Sequence, residues 1–360
     1  MNDTESVFLP QLRRPFYIVA PRYVRTSAGI KVLHYLCHAL NRMGEQAFLV
    51  VVPHYSSYLA THPSLNTPVL TKRIMDFHRE NGLTPITIYP ESVKGNPLNA
   101  PFVVRYVLNY AGLLGGDDEF HEDEYCISYS ESIAGSVPHS HHTIFIPASD
   151  PTFFTAAPGV QRKGACFYAG KYKYYHGAKT YPITDGLQEI TRDRPGAQTP
   201  AEIRDLFQRS EVFYCYENSA LIIEAILCGC PVVLLPNEHF TDVIGKVELG
   251  DDGYVWGADD AAGLERARQT LAIGRERYLS LYAQAEQALR EFVASTQAAA
   301  ESVPYAQPMS DDYVERITWF ARIGGLVRTV RYLIRDNGFG FTVKLVLTRL
   351  KLGRIALKGT

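Results

Sequence analysis

Apolar residues along this chain fall into short blocks separated by helical stripes. Phe16 to Ala20 is a block of strand length. Ile30, Leu33, Leu36, Cys37 and Leu40 then recur at spacings of three and four, which predicts a helix over 30–43 ended by Gly44. Phe48 to Val52 is the next strand. A strand, helix and strand in this order open a doubly wound sheet. The pattern continues with an amphipathic helix over Thr67 to Asn81 and a strand over Pro85 to Tyr89. A helix is expected over Ala100 to Asn109, then strands over Tyr125 to Ser128 and Thr143 to Pro147. About five strands suffice for one Rossmann-like sheet.

The stretch from Pro147 to Gly164, rich in Pro, Thr and Ala, reads as a linker. Strands over Cys166 to Gly170 and Leu187 to Thr191 open a second sheet. Thr199 and Glu202 form a capping box at the start of a helix over Pro200 to Arg209. Glu211 to Pro236 then reads strand, turn, apolar helix, Gly stop, strand. A short strand over Gly253 to Gly257 and a long polar helix over Asp259 to Ala299 complete the second half. The expected fold class is α/β, two Rossmann-like domains facing a cleft, with a C-terminal amphipathic helical tail. The expected boundaries are 1–150, a linker over 151–163, a second domain over 164–300, and a further linker and basic helices over 301–360.

Charge changes this picture in one place. From Glu315 to Thr360 there are ten Lys or Arg against two acids, +8, which leaves −10 for residues 1–314. Helices over Thr318 to Ile334 and Phe341 to Leu357 alternate Trp319 and aliphatic residues with Arg322, Arg328, Arg331, Arg335, Lys344, Arg349, Lys351 and Arg354. Such helices either lie on an anionic membrane surface or pack back on the core. The rest of the chain offers no basic aromatic surface for nucleic acid. The six cysteines sit in apolar segments, as reduced core cysteines of a cytoplasmic protein do. No secretory signal or membrane-spanning run is expected.

Candidate chemistry concentrates between 211 and 236. Glu217 lies at a strand's C-terminal edge, where open α/β sheets bind ligands. Amides around Asn218, Ser219, Ala220 and Leu221 open the following helix and suit a phosphate. Glu224 stands among Ile222, Ile223 and Ile226, where a carboxylate needs a partner: sugar hydroxyls, or an internal Arg or amide. The chain lacks G-x-G-x-x-G, so no nicotinamide or flavin cofactor is expected. Asp117-Asp118 and Asp251-Asp252 lack Asp-x-Asp spacing, and no essential metal is expected.

Glu224-Ala225 followed by Gly229-Cys230-Pro231-Val232-Val233 resembles the donor-binding segment of GT-B glycosyltransferases. The likeness is nearest to the large retaining, nucleotide-sugar-dependent group, family 4-like. That group often has seven residues between its two Glu; here six separate Glu217 from Glu224. The resemblance implies that Glu224 contacts the nucleotide ribose and Glu217 the donor sugar. It implies that Gly170, Lys171 and Lys173 neutralise the donor diphosphate, although solvated loop lysines read the same way. Ser27 and Gly29 resemble the small-residue loop of the acceptor domain. Arg105 could meet an anionic acceptor or serve a structural ion pair. His141 and His142, beside His139, are weak candidates for a base facing the cleft, and otherwise a polar loop.

The expected activity is transfer of a sugar from a nucleotide-diphosphate sugar to a glycan or lipid-linked acceptor in cell-surface polysaccharide synthesis, at the inner face of the cell membrane. A nucleotide-sugar epimerase of the same fold and a non-catalytic two-lobed sugar or nucleotide binder remain as alternatives.

Overall fold

A computed structural model describes residues 12–53, 60–192 and 196–314, together with six helical positions between 327 and 343. The first sheet begins with β1 (Phe16–Ala20), which the helix α1 (Ala28–Arg42) connects to β2 (Ala47–Val51). Helix α2 (Lys72–Glu80) precedes β3 (Ile86–Pro90), and then come β4 (Phe102–Val107), β5 (Tyr125–Ser128), α3 (Glu131–Ala134) and β6 (His142–Thr143). Their order is β2-β1-β3-β4-β5-β6, every pair parallel. The second sheet holds β7 (Ala165–Tyr168), β8 (Gln188–Glu189), β9 (Val212–Cys215), β10 (Val232–Leu234) and β11 (Tyr254–Trp256). Its order is β11-β10-β9-β7-β8, again parallel throughout. The expected pair of Rossmann-like α/β sheets is therefore present.

Helix α4 (Gly170–Tyr174) follows β7, and α5 (Pro200–Arg209) begins with the expected capping box between Thr199 and Glu202. Helix α6 (Leu221–Leu227) is buried at all seven positions between β9 and β10. Burial all round explains its uniformly apolar sequence and isolates Glu224. Two short elements follow, α7 (Lys246–Leu249) and then α8 (Ala261–Gln269) after β11.

Three expectations are corrected. The helix expected over Ala100 to Asn109 is the strand β4. Phe-Val-Val-Arg-Tyr-Val is rich in β-branched and aromatic residues, and its arginine is absorbed internally rather than marking a polar helix face. The polar helix expected over Asp259 to Ala299 divides at Thr270, whose hydroxyl accepts from the Gly253 amide and donates to the Arg266 carbonyl. The second piece is α9 (Leu271–Ala299). The strand expected over Thr143 to Pro147 pairs only at its start, because the chain then leaves the sheet toward the second domain.

Helix α9 serves both cores. Tyr278 and Leu281 pack with the second sheet's cluster, while Leu289, Phe292 and Val293 pack with the first. Beyond it the chain returns to the first sheet. Thr84 Oγ1 donates to the Val303 carbonyl at 2.6 Å, and the Ser310 amide to the Leu98 carbonyl at 2.8 Å. Met309 and Val314 are buried beside Tyr17 and Tyr89. The stretch from Pro304 to Asp312, read as a linker in sequence, is thus packed on the first sheet. Most of the basic helices expected over 318–357 lie outside the described residues; Val327, Val330, Arg331, Ile334, Phe339 and Val343 are helical. No helix among the described residues is long and apolar enough to cross a membrane.

Candidate active site between the two sheets

Both parallel sheets aim the ends of their strands at the junction between them, where α/β folds bind ligands. On the first side the chain leaves β1 through Pro21 to Thr26 and enters α1. Ser27 caps that helix, its Oγ accepting from the Ile30 amide at 3.4 Å. One turn further, Lys31 is buried, and its ammonium donates to the Ala148 carbonyl at 2.6 Å. On the second side α6 brings Glu224, only 4% exposed, to the same place. Glu224 Oε1 accepts from Ser149 Oγ at 3.3 Å.

The connecting segment Ala148-Ser149 lies between these two charges and is held from behind by α9. Tyr278 Oη accepts from the Ser149 amide at 2.8 Å and donates to its carbonyl at 2.9 Å; Tyr282 Oη donates to the same carbonyl at 2.9 Å. The junction is therefore hydrogen-bonded from three elements.

Electrostatics at this point favour an anion. Burial lowers the Lys31 pKa to about 8; the Glu224 charge raises it, and the nearby Arg192 and Arg25 charges lower it further. Three cations thus gather near Glu224, with the Asp150 carboxylate also close by. Arg192 follows β8, its Nη1 lies 3.5 Å from Ser219 Oγ, and its buried Nε has no hydrogen-bond partner. An orphan donor on a guanidinium is costly unless a ligand meets it. Tyr35 and Tyr23 hydrogen-bond to each other on the first-domain wall, and the Asp150 and Glu224 charges add to the rise that burial gives the Tyr35 pKa.

The residues expected from sequence distribute unevenly around this centre. Glu224 and Ser219 line it. Glu217 lies at the end of β9 with its carboxylate on the amides of Lys171 and Tyr172, at 2.5 and 3.3 Å. Burial raises its pKa, and those amides with the Lys171 charge pull it back. A Cβ at Gly170 would come within 2.3 Å of Tyr168 Oη, so a larger residue there has to displace that ring. Lys171 is exposed, whereas Lys173 is bound to Glu189 at 2.5 Å. Asn218 bridges to the Asp242 carbonyl and the Ile244 amide, so its side chain holds a neighbouring loop. Ala220 and Leu221 begin α6, where the Leu221 amide is bonded to Ser219 Oγ at 3.3 Å. Gly29 makes no close approach; an added Cβ would reach only ordinary contact with Leu108, at 3.6 Å.

Arg105 and the histidines are elsewhere. Arg105 is fully buried in β4, paired with both oxygens of Glu124 at 2.7 and 2.8 Å and donating to the carbonyls of Val93 and Gly95. With its guanidinium so engaged it is a structural ion pair and not a ligand contact. His142 starts β6 and bonds Ser295 Oγ on α9 at 2.9 Å; His141 bonds the His139 carbonyl and leans on Tyr125 at 4.1 Å. Ser295 is 17 residues along α9 from Tyr278. At 1.5 Å per residue these two points of α9 lie about 25 Å apart along the helix, so the histidines meet α9 away from the turn that holds Ser149.

Sequence reading passed over Lys31, Arg25, Arg192, Ser149 and Tyr278. Lys31 and Arg192 carried a usable signal, a cation just beyond a strand's C-terminal edge or one turn into the next helix. Ser149 and Tyr278 carried none, since their roles arise only from α9 folding back.

No family model and no curated protein matches the chain. Solved structures that align with it include the glycosyltransferase SnogD from Streptomyces nogalater, at 16% identity over 81% of this chain and 100% of that one, TM-score 0.40. The spinosyn forosaminyltransferase SpnP aligns at 12% identity over 79% and 100%, TM-score 0.44. The spinosyn rhamnosyltransferase SpnG, complexed with thymidine diphosphate, aligns at 13% identity over 79% and 100%, TM-score 0.37. These neighbours are glycosyltransferases. At such identities and scores the alignments decide nothing about this chain's chemistry, which has to be argued from its own residues.

Proposed function

We propose that this chain is a glycosyltransferase of GT-B architecture that uses a nucleotide-diphosphate sugar. The observation that carries the reading is the meeting of Lys31 and Glu224 from opposite domains, with Arg25 and Arg192 beside them. In such a transfer the bond from the sugar's anomeric carbon to the diphosphate breaks, a bond to the acceptor oxygen forms, and the acceptor hydroxyl's proton passes to an oxygen of the departing diphosphate. The departing diphosphate gains negative charge. Lys31, Arg25 and Arg192 are placed to stabilise that charge in a partly buried site. Glu224 accepts hydroxyl hydrogen bonds from the donor, as its family-4-like segment implies, and Ser219 contributes a polar edge. Glu217 orders the Lys171–Tyr172 turn and reaches the donor sugar from there. Gly170 allows that turn to form, while Lys171 meets the diphosphate from the exposed side. Ser27 and Gly29, at the head of α1, face the acceptor.

The same reading extends to a retaining, hexose-transferring enzyme acting on a glycan or lipid-linked acceptor for cell-surface polysaccharide. No resident cofactor is invoked. The basic tail over 318–357 holds the enzyme on the inner face of the cell membrane by charge and apolar area together.

The test is incubation of the purified full chain with a panel of nucleotide sugars, with and without candidate acceptors. Nucleoside diphosphate release that depends on an acceptor is expected. An isomerised donor assigns the epimerase reading instead, and tight binding with no turnover assigns the binding protein.

A further inference from the structure

The connector that bonds Glu224 through Ser149 runs on into Asp150, whose Cα lies one peptide, about 3.8 Å, further along the chain. Asp150 opens a turn. Its Oδ1 accepts from the Thr152 amide at 2.8 Å, the Thr152 hydroxyl at 2.7 Å and the Phe153 amide at 3.3 Å. Its carbonyl accepts from the Phe154 amide at 2.9 Å, and Phe154 is buried in the second sheet's core. One oxygen of the carboxylate is therefore committed, and the side chain is fixed. The other, Oδ2, meets no hydrogen-bond donor or paired cation among the described residues, and the residue is exposed.

Two tyrosines stand beside it. Tyr35 is one turn beyond Lys31 on α1. Tyr282 is one turn beyond Tyr278 on α9, with its Oη on the Ser149 carbonyl at 2.9 Å. Burial pushes the Tyr282 pKa up to about 12, and the Asp150 and Tyr35 charges add to that rise. Asp150 acts on Tyr35 in the same sense, together with Glu224. The carboxylate thus shares the junction with Tyr35, Tyr282 and Glu224. Charge is sorted there, because Lys31 and its neighbour Arg192 stand with Glu224. An anionic group brought to Asp150 meets an unpaired carboxylate, whereas a hydroxyl meets a fixed acceptor oxygen.

We propose that Asp150 selects and orients the acceptor, its Oδ2 accepting a hydrogen bond from a hydroxyl of an uncharged sugar or polyol, with Tyr35 and Tyr282 bordering the same space. The inference rests on the glycosyltransferase reading above and adds to it the acceptor's chemistry at this point. An ionised carboxylate has no proton to donate, so it repels a carboxylate or phosphate as it holds a hydroxyl, and that contrast is a specificity. The anchored Oδ1 has already removed most of the side-chain freedom that binding would otherwise cost. The hydroxyl keeps its proton in this contact, and no covalent bond forms or breaks at Asp150.

Asp150→Asn keeps the Oδ1 acceptor that the turn needs and puts a donor in place of Oδ2. Asp150→Ser keeps a turn-capping oxygen and removes Oδ2 altogether. The full chain and both variants are assayed for acceptor-dependent nucleoside diphosphate release with the same panel of nucleotide sugars. The acceptors are octyl glucoside, galactoside and mannoside, against octyl glucuronide. Donor-side binding is read separately, by calorimetry with uridine and thymidine diphosphate. The native chain should use a neutral glycoside about tenfold or more better in kcat/KM than the glucuronide. Both variants should lose about 10- to 100-fold in kcat/KM for that glycoside at unchanged diphosphate affinity, and Asp150→Asn should narrow the gap to the glucuronide. Unchanged kcat/KM in the variants overturns the inference, as does a native chain that prefers the glucuronide or binds diphosphate yet uses no neutral glycoside; each leaves the donor reading standing. Diphosphate affinity lost in the variants also overturns it, making Asp150 a prop of the junction. A native chain that binds neither diphosphate removes the glycosyltransferase reading, and this inference with it.

Discussion

Glu224 and Lys31 illustrate how burial brings two charges of ordinary type into one environment. Either charge alone in that position is costly, and the pair with Ser149 and the Ala148 carbonyl makes both tolerable. Glu224→Gln keeps a side chain of the same shape but removes the charge-assisted bonds proposed to donor hydroxyls. Donor affinity by calorimetry should fall about 10- to 100-fold; an unchanged affinity removes Glu224 from the site. Lys31 makes a pH prediction. Its folded pKa of about 8 lies below the ordinary 10.5 because burial disfavours the ammonium. Between those values the unfolded chain holds more protons than the folded one, so this residue makes stability rise with pH across that window. Binding runs the other way, since the charge that attracts a diphosphate is lost above about pH 8. Affinity for a nucleoside diphosphate should therefore drop up to about tenfold per pH unit there. Lys31→Met should bind weakly and flatten that limb.

Single elements carry their own consequences. Strand β4 stands where a helix over Ala100 to Asn109 is expected from sequence. In the fold its Arg105 is the most deeply buried cation among the described residues, tied to Glu124 and backbone carbonyls. Arg105→Met leaves Glu124 without its partner and should cost roughly 3–5 kcal/mol in denaturant unfolding. Acceptor affinity of the folded fraction should not change, which distinguishes the structural ion pair from the anionic-acceptor contact, the other reading of Arg105. Helix α4 gives the opposite case. Gly170→Ala drives a Cβ into the ring of Tyr168, the last residue of β7, within 2.4 Å of Cζ. The variant should lose about 1–3 kcal/mol and weaken donor binding as the Lys171 turn shifts. Full stability in Gly170→Ala would show that Tyr168 moves aside at no cost.

At the scale of the whole molecule α9 is the organising feature. It carries Tyr278 and Tyr282 at the junction and Phe292 in the first core, so neither sheet is complete without it. The chain after it, to Val314, is packed on the first sheet. A truncation meant to probe the tail should therefore begin at residue 315. Removal of 315–360 should leave the folded body intact and lower retention on anionic vesicles, read by sedimentation. A truncated protein that sediments as the full chain does removes the tail from membrane binding.

Period and punctuation in the sequence were enough for most strands, for α1, α5 and α6, and for the two-sheet fold class. These depend on contacts a few residues apart: spacing of apolar positions, the Thr199–Glu202 box, Gly229 and Pro231 after α6. Glu224 was legible for a related reason, as a charge within a run that had to be buried. Nothing local states that His142 will meet Ser295 on α9. Lys31 meeting Glu224, Ser149 between them, and Arg105 pairing with Glu124 are likewise set by contacts across tens to hundreds of residues. Such partners are chosen by how two sheets and one long helix pack, and the sequence by itself determined the elements and their polarity while only the tertiary structure decided which charges share a dielectric environment and so can act together.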